Sequence, residues 1–213
     1  MESNYTIFSL NPVPIYVNYL TVNEEDVINL RKEEYYRFSN DYNNGTTNGR
    51  ILDLDFFQTL KLQLYSEVEK YVYDVISVDR RIKVQLENSW GVKNKKGDKG
   101  SYHNHVNSIL SAVYYMDVND NSGDIEFSYD AKFSNLFPGL YSYPFSQWNT
   151  YNARQLIIKP KKGMIVIFPS HVYHSVYENE SDIERLCISF NVTLRGELDL
   201  EDPVRFRYSK VVL

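Results

Sequence analysis

The hydrophobic period of this chain changes near residue 80. Before that point Phe57, Leu60, Leu64, Val68, Tyr71, Val72 and Val75 recur at three- and four-residue spacing. That is the stripe of an amphipathic helix, and it predicts a helix over residues 55–77. After it, Ile82, Val84 and Leu86 alternate with Lys83, Gln85 and Glu87, the pattern of a half-buried strand. Further strand-like runs lie at 109–118, 123–127, 155–159, 164–168, 186–194 and 204–212. Many short strands separated by turn signals predict an antiparallel sandwich or barrel. The helical stripe must be buried against something, and the sheet is what the rest of the chain supplies. The expected class is therefore mainly β with some helix (α+β).

A second helix is predicted over residues 23–38, with Asn23 as its N-cap and Glu24, Glu25 and Asp26 in its first turn, where acids complement the dipole. A polar loop follows at 39–49, and a basic, glycine-containing loop is predicted at 93–100, with Lys93, Lys95, Lys96 and Lys99. Such a loop reads as a solvated turn or as a local phosphate contact. Residues 137–151 are rich in Pro, Tyr, Phe and Trp and read as an ordered segment, either a lid carrying Trp148 or a packing insertion. With 213 residues and no repeat or linker, the chain is expected to form one domain.

Composition narrows the function. The net charge of −5 argues against a duplex-nucleic-acid binder with a basic footprint. No apolar run approaches the roughly 18 residues of a membrane span. Residues 1–10 lack the basic start and apolar core of a secretory signal, and Cys187 is the one cysteine. The expectation is a reducing, cytoplasmic setting without a disulfide. The run at 204–212 alternates enough to be an edge strand, which could pair two copies as a homodimer.

The four histidines form two pairs, His103 with His105 and His171 with His174. In an extended segment, residues two apart share a face, so His103 and His105 could aim two imidazoles at one point. A third from a neighbouring strand would complete a facial metal-ligand set, and imidazole suits iron, zinc, copper and nickel alike. A lone histidine is more often a hydrogen-bonding residue, but two clusters with none elsewhere favour a metal. Arg185 opens the strand-like run after His174. Beside a metal, its planar fork can hold the far carboxylate of a chelating keto acid by two parallel hydrogen bonds.

Four ordered segments carry a resemblance: the run from His103 to Met116, Gly123-Asp-Ile-Glu-Phe127, the run from Gly163 to His174, and Arg185-Leu-Cys-Ile-Ser-Phe-Asn191. Together they resemble the iron(II)- and 2-oxoglutarate-dependent oxygenase superfamily, and within it a group of oxygenases found in bacteria and their phages. The resemblance implies a double-stranded β-helix, a jelly-roll or cupin-like core at 80–213, with an N-terminal strand and supporting helices at 1–79 packed on one side. It implies Fe(II) and 2-oxoglutarate as cofactors, with decarboxylation to succinate coupled to hydroxylation of a substrate that the sequence does not name. His174 would be the distal iron ligand and Arg185 would bind the far carboxylate of 2-oxoglutarate. Tyr115 matches a position where a tyrosine helps bind that carboxylate, and equally suits a packed strand aromatic. His171 falls where the pattern usually has an aromatic, which ranks it below His174.

The superfamily usually has H-x-D or H-x-E at the first site, and this chain has H-x-H. Two assignments are open: His103 and His105 both ligate, or His105 ligates with Asn107 in the acid's place. The first is favoured because imidazole is the better iron ligand. Asp124 and Glu126 are candidate replacement carboxylates, with a hairpin-surface role favoured for both. Two competing functions remain, a cupin-like metalloprotein with an all-histidine site that does not use 2-oxoglutarate, and a non-catalytic jelly-roll binding module.

Overall fold

The computed structural model describes residues 12–38, 43–128 and 144–196. The run at 204–212, the first half of the aromatic segment and the first residues lie outside these. Among the described residues, eleven strands form two sheets. The larger is ordered β1 (Tyr16–Tyr19), β9 (Met164–Pro169), β6 (Leu110–Asp117), β11 (Arg185–Arg195), β4 (Lys83–Asn94), β3 (Asn44–Thr46) and β2 (Tyr35–Arg37). The smaller is β5 (Gly100–His103), β10 (Tyr173–Val176), β7 (Ile125–Ser128) and β8 (Gln155–Ile158). All of the pairings between these strands are antiparallel. The two sheets face each other as a jelly roll, the double-stranded β-helix that the resemblance implied.

Strand alternation sorts the large sheet into two faces. Leu186, Ile188, Phe190 and Val192 of β11 join Ala112, Tyr114, Ile165 and Ile167 in a core shared with the helices. The residues between them, such as Cys187, Val113, Tyr115, Val166 and Phe168, turn to the smaller sheet. One face therefore holds the support and the other the cavity.

Helix α1 (Glu24–Lys32) starts as expected, with the Asn23 side chain accepting a hydrogen bond from the Glu25 N–H at 3.0 Å. It ends at Lys32 rather than 38. Val27 and Leu30 are buried, but the next positions on that face are Glu33 and Glu34, so nothing apolar carries the helix onward. The chain turns into β2 instead, and the Tyr35 hydroxyl donates to the Leu30 carbonyl at 2.9 Å. Arg31 ties α1 to the sheet through Asp117 at 2.5 Å and Glu184 at 3.2 Å.

The predicted helix at 55–77 is a composite. A 3₁₀ turn (Asp55–Phe57) leads into α2 (Gln58–Glu69), which widens into a π-helical turn (Lys70–Val75). The stripe of Phe57, Leu60, Leu64, Val68, Tyr71 and Val72 is buried. Val75, expected in that stripe, is 49% exposed because the widened turn rotates it away. Strand β4 runs on through Trp90 to Asn94, so the basic loop begins later than predicted. Two of its lysines are engaged: Lys93 sits 4.1 Å over the Tyr35 ring and Lys96 pairs with Asp182 at 2.7 Å. No helix among the described residues is long and apolar enough to cross a membrane.

Candidate metal centre

His174 lies within β10 and pairs in register with His103, the last residue of β5. The chain has left the strand by His105, whose backbone N–H is held by the Ser170 carbonyl at 2.9 Å. The expected extended H-x-H is thus a strand end plus an anchored loop. The result is still convergent: the ligand atoms of His103, His105 and His174 all lie within 4.8 Å of one another. Among the described residues this is the one cluster of three or more metal-ligating side chains.

Two of the imidazoles have a fixed orientation. The Nδ1 of His103 is 2.7 Å from the Ser101 carbonyl, and that of His174 is 3.1 Å from the Val172 carbonyl. A carbonyl only accepts, so each Nδ1 carries the proton and each Nε2 keeps its lone pair for a metal. Burial, with His103 adding repulsion, pushes the His174 imidazole down to about 3 and that of His105 down to about 4. Both are neutral near pH 7, the ligating form. Phe127 and Phe168 pack against the His174 ring and keep that side dry.

The other predicted positions separate. His171 is exposed and lies outside the cluster. Asn107 is exposed and does not line the cavity. Glu126 pairs with Ser175, one residue on from His174, and so points to the opposite face of the small sheet. There it accepts from Gln155 at 2.6 Å, from Ser128 at 2.9 Å and from the Tyr177 hydroxyl. Asp124 is half-buried beyond the start of β7, outside the cluster. The described part of the aromatic segment is exposed, with Trp148 at 66%, and lines none of the cavity.

A cavity of about 430 Å³ opens beside the three histidines, between the sheets. Arg185, Cys187, Ser189 and Asn191 of β11 all line it, because alternate residues of one strand share a face. Arg185 is 2% exposed. Its Nη1 donates to the Ser122 and Gly123 carbonyls at 2.9 Å each, while its Nε has no partner. No carboxylate among the described residues lies within ion-pair distance of it. Gly123 is required for this seat: its φ is +91°, and a Cβ there would lie 2.1 Å from the Tyr177 carbonyl and 3.0 Å from Arg185 Nη1. Tyr115, 1% exposed, lines the same cavity, and burial raises its hydroxyl well above the usual phenol range despite the nearby Arg185. Burial likewise pushes the Cys187 thiol up to about 11, so it is a neutral wall rather than a nucleophile.

A buried guanidinium without an acidic partner is an uncompensated charge, and it fits an external carboxylate. Asn94, across from Arg185 in register, is wholly buried with both amide atoms unpartnered, and the Ser122 hydroxyl is unpartnered too. The donor set of three imidazoles fits iron(II) but does not by itself select it. Sequence reading did not identify Asn88, Trp90 or Asn191 as lining residues. For Asn191 the signal was available, since it follows Arg185 by an even number of positions on one strand.

The family described as "Putative 2OG-Fe(II) oxygenase" matches residues 88–191. The non-heme alpha-ketoglutarate-dependent epimerase SnoN from nogalamycin biosynthesis is similar in structure, with a TM-score of 0.57 at 15% identity over 80% of this chain and 70% of that one. A Pseudomonas putida prolyl-4-hydroxylase gives 0.56 at 12% identity over 87% and 94%. HygX from Streptomyces hygroscopicus, solved with nickel, 2-oxoglutarate and hygromycin B, gives 0.57 at 13% over 90% and 89%. The chain matches no curated protein by sequence. The match over residues 88–191 and the jelly-roll fold make the chain similar to the 2OG-Fe(II) oxygenases.

Proposed function

We propose that the protein is an iron(II)- and 2-oxoglutarate-dependent dioxygenase that hydroxylates a small molecule entering the cavity. One observation carries the reading beyond the fold: the buried Arg185, without a carboxylate partner among the described residues, lines the same cavity as three convergent histidines. His103, His105 and His174 hold the metal, with His174 and His103 aimed by their backbone carbonyl partners. Arg185, held by the Ser122 and Gly123 carbonyls, takes the far carboxylate of 2-oxoglutarate, and the Tyr115 hydroxyl donates to the same group. When bound, iron and 2-oxoglutarate supply oxidative decarboxylation to succinate coupled to oxidation of a C–H bond. The chain supplies position and exclusion of water: Val113, Phe168 and Cys187 wall the site with apolar or neutral groups.

Three imidazoles bring no negative charge, so a divalent ion here keeps its full charge. That favours an anionic chelator more than a site with one carboxylate does. The same all-histidine set is what supports the rival reading, a cupin-like metalloprotein that does not use 2-oxoglutarate. Calorimetric titration of zinc-loaded protein separates the two. The dioxygenase reading expects 2-oxoglutarate to bind and glutarate, which lacks the keto oxygen, to bind far more weakly. Equal, weak binding of both would favour the rival.

A further inference from the structure

Beyond the histidines, the cavity wall changes character. Among the described residues that line it, Arg185 is the one arginine, lysine or carboxylate side chain. Arg185 and Asn191 are six positions apart on β11, roughly 20 Å of strand, so the charge sits at one end and Asn191 at the other. Around Asn191 the wall combines the ring of Trp90, which pairs with Ser189 on β11, with the uncharged polar groups of Thr47, Asn88 and Asn191, while Tyr36 lies in line with Cys187, toward the Arg185 end. In a chain that is 24% charged, a wall region with no carboxylate, lysine or arginine selects against ions, which would lose water there and gain no counter-charge.

The polar groups at this end are also ordered in direction. The Ser111 hydroxyl donates to Asn191 Oδ1 at 2.9 Å, and Asn191 Nδ2 donates to Asn88 Oδ1 at 2.9 Å. A hydroxyl has one proton, so Ser111, having donated it, must accept from Ser170 at 2.8 Å, and Ser170 must in turn accept from Ser108 at 2.8 Å. The chain of hydrogen bonds therefore runs one way, from Ser108 through Ser170, Ser111 and Asn191 to Asn88. Its first half is tied to the metal centre, since the Ser170 carbonyl holds the backbone of His105. At its far end Asn88, exposed and lining the cavity, has its carbonyl oxygen engaged, which leaves its amide N–H₂ as the group it can offer to a ligand.

We infer that the substrate is an uncharged molecule with a flat apolar face, anchored at the cavity mouth by a hydroxyl or carbonyl oxygen that accepts from Asn88 Nδ2. This rests on the dioxygenase reading for its reaction but not for its binding. Asn88 is the specificity residue, and Asn191 and Ser111 are positioning residues that set its orientation. A substrate oxygen meets a donor already held in place, while the ring of Trp90 covers its apolar face.

The test uses full-length protein loaded with zinc(II) and 2-oxoglutarate, so that no turnover intervenes. 2-Oxoglutarate binding is measured first on the same sample. Small molecules are then added in charge-matched triplets, each an alcohol or amide with its carboxylate and amine analogues. The expected result is that neutral members shift the Asn88 and Asn191 side-chain amide resonances and bind at least about tenfold more tightly than their charged analogues. Asn88→Asp keeps the acceptor for Asn191 but removes the donor. It should weaken the neutral members about tenfold and turn the preference toward amines. Charged members binding as well as neutral ones, neutral members unaffected by Asn88→Asp, or no neutral member moving these resonances would each overturn the inference. Failure of 2-oxoglutarate to bind, with the neutral preference intact, would instead remove the dioxygenase reading and leave the mouth assignment standing.

Discussion

His174 and His103 face each other across the β10–β5 pairing, with ring centroids 4.3 Å apart. Two antiparallel strands of the small sheet thus place two imidazoles by register alone, and the third, His105, is brought in by a backbone hydrogen bond to Ser170. Replacing His174 by alanine leaves two ligands and a hole in a dry wall. Metal affinity should fall by more than roughly 100-fold, beyond the range seen for loss of an outer partner. Equilibrium dialysis followed by elemental analysis checks this, and full metal retention in the variant would remove His174 from the ligand set.

Under the proposed function, Arg185 acts on the cosubstrate and not on the metal. Arg185→Ala should weaken 2-oxoglutarate binding by about 30-fold or more, the scale for losing one partner of a buried charge pair, with metal loading unchanged. Arg185→Lys should rescue little, because an ammonium cannot reproduce the fork. Tyr115→Phe removes one hydrogen bond and should cost no more than roughly tenfold. Calorimetry on zinc-loaded variants gives all three. A larger loss for Tyr115→Phe than for Arg185→Ala would reverse their roles.

Gly123 supports Arg185 through its backbone. Its φ is +91°, and the Cβ of an alanine there would meet the Tyr177 carbonyl at 2.1 Å, so Gly123→Ala forces the turn to move. The expected cost is about 1–3 kcal/mol of stability, together with weaker 2-oxoglutarate binding as the carbonyl that holds Arg185 shifts. Chemical denaturation and calorimetry on the same variant test the pairing of effects. Lost stability with intact cosubstrate affinity would show that Arg185 does not depend on this turn.

The metal-free protein should be acid-sensitive at the histidines. His174 and His105 titrate near 3 and 4 in the fold against 6.5 when unperturbed. The unfolded chain therefore binds more protons than the folded one below about pH 6.5. Stability is fully present above that value and falls as pH drops toward 4, by on the order of 1.4 kcal/mol per pH unit for each such group. Melting temperatures of metal-free protein between pH 7.5 and 4.5 should fall, and less steeply in His174→Phe. Identical slopes in both proteins would contradict the assignment.

The parts of the fold that were legible in the sequence are those written in local periodicity. The strand-like runs at 109–118 and 186–194 became β6 and β11 almost residue for residue, because both strands bury one face on the helices and one on the cavity. β5 and β10 were not legible, since Gly-Ser-Tyr-His and Tyr-His-Ser-Val carry no alternating apolar face and are strands through their pairing, β5 with β10 and β10 with β5 and β7. The end of α1 and the π turn after α2 depend on what each packs against. At the site, the paired histidines and Arg185 were visible as residue types in order. The hydrogen-bond chain through Ser111 and Asn191 to Asn88 was not, because its members lie 80 and 103 positions apart and meet only through sheet register.

The most direct measurement is an anaerobic titration of metal-free protein with iron(II) and then 2-oxoglutarate, following the visible charge-transfer band of the chelate. The dioxygenase assignment predicts a saturable band in the wild type, no band in His174→Ala for want of metal, and a band needing far more 2-oxoglutarate in Arg185→Ala. Tightly bound iron that gives no band at any 2-oxoglutarate concentration would contradict it, and would assign the all-histidine centre to chemistry without this cosubstrate.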